Sequence, residues 1–85
     1  IGMSKQTNRV ISGPDIVSRG FVYVRESEAL MDEAKARVEQ ALDRCEDEGV
    51  KEWAAIKANV RDALGRYLFE KTRRRPMILP IIMEV

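Results

Sequence analysis

The chain has 85 residues, with 15 Lys or Arg, 14 Asp or Glu and no His, so its formal net charge is +1. A chain of this length closes one modest hydrophobic core and leaves no volume for a large enclosed active site. Without histidine, and with a single cysteine, neither an imidazole-based catalytic site nor a disulfide framework is expected, and a reducing cytoplasm is the default compartment.

The first 24 residues are predicted to form strands and turns. A polar break at residues 5–8 separates the apolar residues 1–3 from Val10 and Ile11, which is typical of a short hairpin. Gly13 and Pro14 then indicate a turn. Residues 21–24, Phe-Val-Tyr-Val, are β-branched and aromatic, so they predict a further strand.

Two helices are predicted next, at residues 27–48 and at about residues 51–72. Ser27 is placed to cap the first helix and Gly49 to end it, and Pro76 stops the chain from continuing the second. Apolar residues recur along both at spacings of three and four, which places them on one face of each helix. They are Leu30, Ala34, Val38, Ala41, Leu42 and Cys45 in the first, and Trp53, Ile56, Val60, Ala63, Leu64, Tyr67 and Leu68 in the second.

Residues 77–83, Met-Ile-Leu-Pro-Ile-Ile-Met, are apolar at every position. The run is too short to cross a membrane and is rich in β-branched residues, so it predicts a strand, antiparallel to residues 21–24 if both lie in one sheet. The predicted fold is α+β, a two-layer sandwich in which a small three-stranded sheet packs on two antiparallel helices in the order β-β-α-α-β. Residues 1–85 are expected to form a single domain.

The last predicted strand has apolar residues on both of its faces. Successive side chains of a strand point to opposite sides, whereas the two helices cover only one face of the sheet. The uncovered apolar face predicts contact with another protein surface, most simply a second copy of the chain. The alternative is that the segment covers its own core and curls, with Pro80 ending the sheet early. Six residues of this strand are predicted to form the core and the oligomer interface. Ile78 and Ile82 lie on one face of the strand, and Met77, Leu79, Ile81 and Met83 lie on the other.

Charge is segregated along the chain. Residues 26–49 hold nine acids and three bases, giving −6, whereas residues 50–75 hold eight bases and three acids, giving +5. The densest basic cluster consists of Lys71, Arg73, Arg74 and Arg75, which are candidates for contact with RNA phosphates. The alternative is that these cations only complement the dipole at the end of a helix.

Two stretches of the sequence resemble a known family. Residues 12–23, Ser-Gly-Pro-Asp-Ile-Val-Ser-Arg-Gly-Phe-Val-Tyr, are similar to the opening of the C-terminal domain of ribonuclease J. Residues 70–85, which include Thr-Arg-Arg-Arg-Pro-Met-Ile-Leu-Pro, are similar to its ending. The likeness extends over nearly the whole chain.

This resemblance implies a function as part of a larger enzyme. Ribonuclease J is a 5′→3′ exoribonuclease with endoribonuclease activity in RNA maturation and decay. Two zinc ions, held by His and Asp residues of its catalytic domains, activate the attacking water. No member of that metal motif can be carried onto this chain, so the resemblance implies no catalytic residue and no cofactor here.

The C-terminal domain of that family supports dimer or tetramer assembly and the activity of the full enzyme. The implied partners are further copies of the chain, the catalytic domains of the same polypeptide and, through the full enzyme, RNA; no membrane is implied. One alternative is a direct RNA-binding module that uses the basic cluster. Another is a self-contained nuclease, which the lack of metal-ligating residues disfavours.

Overall fold

The computed structural model describes residues 1–7, 9–18 and 24–85. The elements in chain order are strand β1 (Gly2–Met3), strand β2 (Val10–Ser12), helix α1 (Val24–Asp47), helix α2 (Trp53–Thr72) and strand β3 (Met83–Glu84). The predicted α+β fold, with its β-β-α-α-β order and three-stranded sheet, is confirmed.

The two helices pack side by side and supply most of the core. Residues 48–52 connect them, and such a short connection folds α2 back along α1. In the described part of the chain, neither helix carries an apolar stretch long enough to cross a membrane. The buried core cluster contains Ala34, Val38, Leu42 and Cys45 of α1, Ile56, Val60, Leu64, Tyr67 and Leu68 of α2, and Met3 and Ile82 from outside the helices.

Each helix ends at a residue in the left-handed backbone conformation. Gly49 has φ 72°, and two hydrogen bonds close the end of α1, from Gly49 N to Glu46 O at 3.1 Å and from Val50 N to Cys45 O at 2.8 Å. This is the Schellman arrangement, which favours glycine because a side chain is strained there. At the end of α2 the left-handed residue is Arg73, with φ 59°, and its backbone N–H donates to Phe69 O at 2.9 Å.

The sheet joins the two ends of the described chain. Its order is β2-β1-β3; β1 pairs antiparallel with β2, with a bulge, and parallel with β3. The pairing with β3 uses hydrogen bonds from Met83 N to Ile1 O at 2.8 Å and from Val85 N to Met3 O at 3.0 Å. Among the strands that the structure describes, β1 therefore lies in the middle and β3 at an edge.

Two local predictions were wrong, the start of α1 and the extent of the last strand. Val24, assigned to a strand, is the first residue of α1, so α1 begins three residues before the predicted start and Ser27 lies inside it; residues 21–23 lie outside the described residues. The last strand is confined to Met83–Glu84 instead of residues 77–83, because Pro80 has no backbone N–H to donate to a ladder. The described partner of that strand is β1, in parallel orientation.

Burial raises the pKa of two core groups. The Cys45 thiol is buried, as its place on the apolar face of α1 predicts, and desolvation and then the carboxylate of Glu48 raise its pKa. Desolvation is also the main cause that raises the pKa of the Tyr67 hydroxyl, with a further contribution from Glu33.

These shifts predict a loss of stability at alkaline pH. The folded chain holds both protons more tightly than the unfolded chain, so the stabilisation is complete below the ordinary pKa values, 9.0 for Cys45 and 10.0 for Tyr67, and is lost as pH rises through the raised values. We expect the free energy of unfolding in urea to fall above pH 9 in the wild-type chain, and to fall less in Tyr67→Phe. An equal fall in both would contradict a contribution from Tyr67.

Replacement of glycine by alanine is expected to have opposite effects on stability at two positions. Gly49→Ala is expected to lower the free energy of unfolding by about 1 kcal/mol, because alanine is strained at positive φ. No atom lies within 4 Å of the added methyl group there, so the backbone alone causes the loss. Gly65→Ala is expected to raise stability by up to about 1 kcal/mol through helix propensity, since its methyl group would meet Ile78 Cδ1 at an ordinary 3.5 Å. Urea unfolding followed by circular dichroism measures both, and destabilisation by Gly65→Ala would show that this site is overpacked.

Candidate interaction surface

The segment after α2 exposes every second side chain. Ile82 is buried in the core and Ile78 and Pro80 are half-buried, whereas the residues that alternate with them are exposed. This alternation is that of an extended chain lying on the helices. We call the exposed set the apolar strip; it consists of Met77 (86% exposed), Leu79 (74%), Ile81 (64%), Met83 (60%) and Val85 (61%).

The apolar strip is held in place from both of its ends. At its far end, the β1–β3 hydrogen bonds fix Met83 and Val85, and the backbone nitrogen of Ile1 donates to Ile81 O at 3.0 Å. Close to α2, the half-buried Ile78 lies beside Gly65 of that helix. The segment therefore presents its outer side chains from a fixed backbone.

The register of the sheet shows which way the apolar strip faces. Gly2 pairs with both Ser12 and Met83, whereas Met3 pairs with Val10 and Glu84. Paired residues of neighbouring strands point to the same side, and Met3 is buried in the core. Met83 therefore lies on the outer face of the sheet, opposite the core.

The predicted basic cluster lies at the end of α2, directly before the apolar strip. Lys71, Arg73, Arg74 and Arg75 are all exposed. The backbone N–H of Arg74 donates to Thr72 Oγ1 at 3.1 Å, and that hydroxyl donates to Leu68 O at 2.7 Å. The left-handed turn at Arg73 thus has a fixed hydrogen-bonded geometry.

The ring of Phe69, which sequence reasoning did not select, organises this cluster. The guanidinium carbon of Arg75 lies 4.6 Å from the ring centroid and that of Arg73 lies 5.6 Å away. These are cation–π contacts, which favour arginine over an aromatic face. Phe69 therefore holds two members of the cluster, Arg73 and Arg75, against its ring.

A shallow groove, with a volume of about 450 Å³, begins at this ring. It runs between α2 and the segment that follows Pro76, and Arg61, Arg66 and Arg75 line it together with Phe69. Sequence reasoning missed Arg61 and Arg66 as site residues. The available signal was their helical spacing from Phe69, at eight and three residues, which places all three on neighbouring positions of one helix surface.

Acidic side chains do not converge on a metal-binding arrangement in the residues described. Among them, no group of three or more Cys, Asp or Glu is placed to hold a metal ion. Acids of the described regions instead form surface ion pairs, Arg9 with Glu46 at 3.6 Å and Arg37 with Glu33 at 3.2 Å.

Comparison with known proteins relates the whole chain to one family. The family model described as the ribonuclease J C-terminal domain matches residues 1–85. The chain is 48% identical over 85 residues to ribonuclease J2 of Bacillus subtilis, and 46% identical over 85 residues to ribonuclease J 2 of Staphylococcus aureus and of Staphylococcus epidermidis. Each alignment covers 100% of this chain but only 15% of the relative.

Proposed function

The chain belongs to the ribonuclease J C-terminal domain family, and from that premise we propose that it is a non-catalytic association domain of a ribonuclease. In this proposal it brings copies of the enzyme together through the apolar strip and so supports the activity of the catalytic domains. The observation that carries the proposal is the apolar strip itself, five exposed apolar side chains on one held segment.

Chain composition supports a non-catalytic role. The chain has no histidine, whereas the zinc ions implied for the family are held by His and Asp residues of its catalytic domains. We therefore assign RNA cleavage, and the activated water that it needs, to domains outside this chain. The chain spans about 15% of the length of its curated relatives, which leaves room in such proteins for those domains.

The position of the apolar strip supports association with a second copy. Among the described strands, β3 is at the edge of the sheet, so its outer side offers backbone groups to a further strand, and its exposed side chains lie next to that edge. A contact of this kind repeated on two copies is self-complementary about a two-fold axis. Catalytic domains attached to the two copies would then act at high local concentration on one RNA.

The energetics favour a weak to moderate association. Burying a large apolar side chain from the exposed state stabilises by roughly 1.5 to 3 kcal/mol, and in a two-fold contact both copies contribute such side chains. The loss of translational and rotational freedom on association offsets much of this gain. We therefore expect an oligomer that dissociates on dilution, which sedimentation can follow.

A single charge in the apolar strip tests this function. We expect Leu79→Asp and Ile81→Asp to weaken association by about a hundredfold or more, because an unpaired carboxylate buried in an interface costs several kcal/mol. The measurement is solution mass against concentration by analytical ultracentrifugation. Both side chains are exposed in the single chain, so the fold should persist, and circular dichroism checks that it does.

The matched control is Val17→Asp. Val17 is 85% exposed and apolar but lies outside the apolar strip, so this variant introduces the same charge at another exposed apolar position. We expect its mass to follow that of the wild-type chain. A wild-type chain that stays monomeric at all concentrations, or a folded Leu79→Asp variant with unchanged mass, would rule out the proposed interface.

A further inference from the structure

The groove beside α2 has features of a nucleic-acid site that the association role does not use. Arg61 and Arg66 approach it from α2, Arg75 approaches it from the segment after the helix, and one carboxylate, that of Asp62, also lines it. Three guanidinium groups against one carboxylate give the groove a net charge of +2. An open, positively charged channel of this kind suits a strand that passes through it rather than an enclosed small molecule.

Within the described part of the chain, the groove arginines form no ion pairs with carboxylates. The ion pairs there involve Arg9, Lys35 and Arg37, none of which lines the groove. An arginine fork donates several N–H groups in one plane, which matches the oxygens of a phosphate group. Arg61, Arg66 and Arg75 therefore keep this capacity for a ligand.

Phe69 determines which part of the Arg75 guanidinium group is available to a ligand. The guanidinium group of Arg75 lies over its ring with the carbon atom 4.6 Å from the centroid. A guanidinium that stacks on a ring uses its face, so the N–H groups at its edge stay available for hydrogen bonds. The ring thus holds Arg75 in place before a ligand arrives, which lowers the entropy lost on binding.

We propose that this groove binds the sugar-phosphate backbone of single-stranded RNA, with Arg61, Arg66 and Arg75 on phosphate oxygens. Arginines combined with an aromatic residue along an open groove are the usual features of single-strand binding. The choice of RNA rests on the proposed function in a ribonuclease, whereas the preference for a polyanion rests on the groove alone. The competing occupant is the acidic surface of α1 from a second copy, and the solution mass of the groove variant distinguishes it from RNA.

Removing two groove charges tests the site. A fluorescein-labelled oligouridylate is titrated with the 85-residue chain, and fluorescence anisotropy is followed at about 50 and 200 mM salt. We expect Arg66→Gln/Arg75→Gln to weaken binding by about tenfold or more, since hydrogen bonds to charged groups are lost. The slope of log affinity against log salt should become shallower by about 1.4, which corresponds to two fewer phosphate contacts on a single strand.

The matched control removes two positive charges elsewhere. Lys5 and Lys51 line a second shallow groove, with Trp53, near the other end of α2, so Lys5→Gln/Lys51→Gln has the same net charge as the groove variant. We expect this control to change affinity much less. Equal losses in the two double variants would show that any positive charge attracts the RNA and would overturn the groove as a site.

Two single variants address the roles of Asp62 and Phe69. Asp62→Asn removes the carboxylate that repels phosphate, so we expect tighter binding, a gain that misfolding cannot produce. Phe69→Leu keeps an apolar side chain but removes the aromatic face, and we expect affinity to fall by about two- to fivefold, the size of an exposed cation–π contact. Unchanged binding in both variants would contradict the proposed arrangement.

Solution mass separates this proposal from the association role. The variant Arg66→Gln/Arg75→Gln should lose RNA affinity and keep its oligomeric state. If it loses both together, the groove holds the acidic surface of a second copy and the RNA proposal is wrong. If it keeps its RNA affinity, the proposal is wrong while the association role stands. If Leu79→Asp fails to change the mass, only the association role is contradicted.

Discussion

Two hydrogen bonds, from Met83 N to Ile1 O and from Val85 N to Met3 O, join the first and last residues that the structure describes. The apolar strip depends on them. Because β3 is tied to β1 in a fixed register, Ile82 enters the core and Met83 faces outward. A shift of one residue would exchange these faces and bring Met83 and Ile81 toward the core instead. The strand is only two residues long. The register is therefore also stabilised by the burial of Ile82 and by the packing of Ile78 beside Gly65.

The core of the helix pair could be predicted from sequence because it follows from a local rule. Apolar residues at spacings of three and four must share a helix face, whatever the rest of the chain does, and residues such as Val38 and Ile56 are buried accordingly. Val24 shows the limit of local reasoning. Its neighbours in sequence favour a strand, but α1 extends to include it, and β propensity is easily overridden by context.

The candidate site likewise has one part that a local rule predicts, the apolar strip, and one part that depends on the tertiary structure, the groove. The alternation along residues 77–83 predicts which side chains share a direction, because the two-residue period of extended chain is also local. The groove could not be predicted as a unit. It exists only where the segment after Pro76 returns along α2, and this return depends on the left-handed turn at Arg73 and brings Ile78 close to Gly65. Neither the close approach nor the turn is encoded by a periodic pattern, since most left-handed helix ends use glycine.

The apolar strip and the arginine-rich end of α2 are neighbours, and this arrangement has a physical advantage. An exposed sheet edge with apolar side chains is prone to uncontrolled association, because any extended chain can pair with it. Here Arg73, Arg74 and Arg75 directly precede the apolar strip in sequence, and repulsion between the arginine clusters of two copies disfavours arrangements that stack them together. That repulsion acts on the arrangement of the copies, so it keeps the groove of each copy facing away from the other and open to an RNA strand. The two roles then use different contact residues on neighbouring parts of one segment, which is why a substitution can remove one role and leave the other.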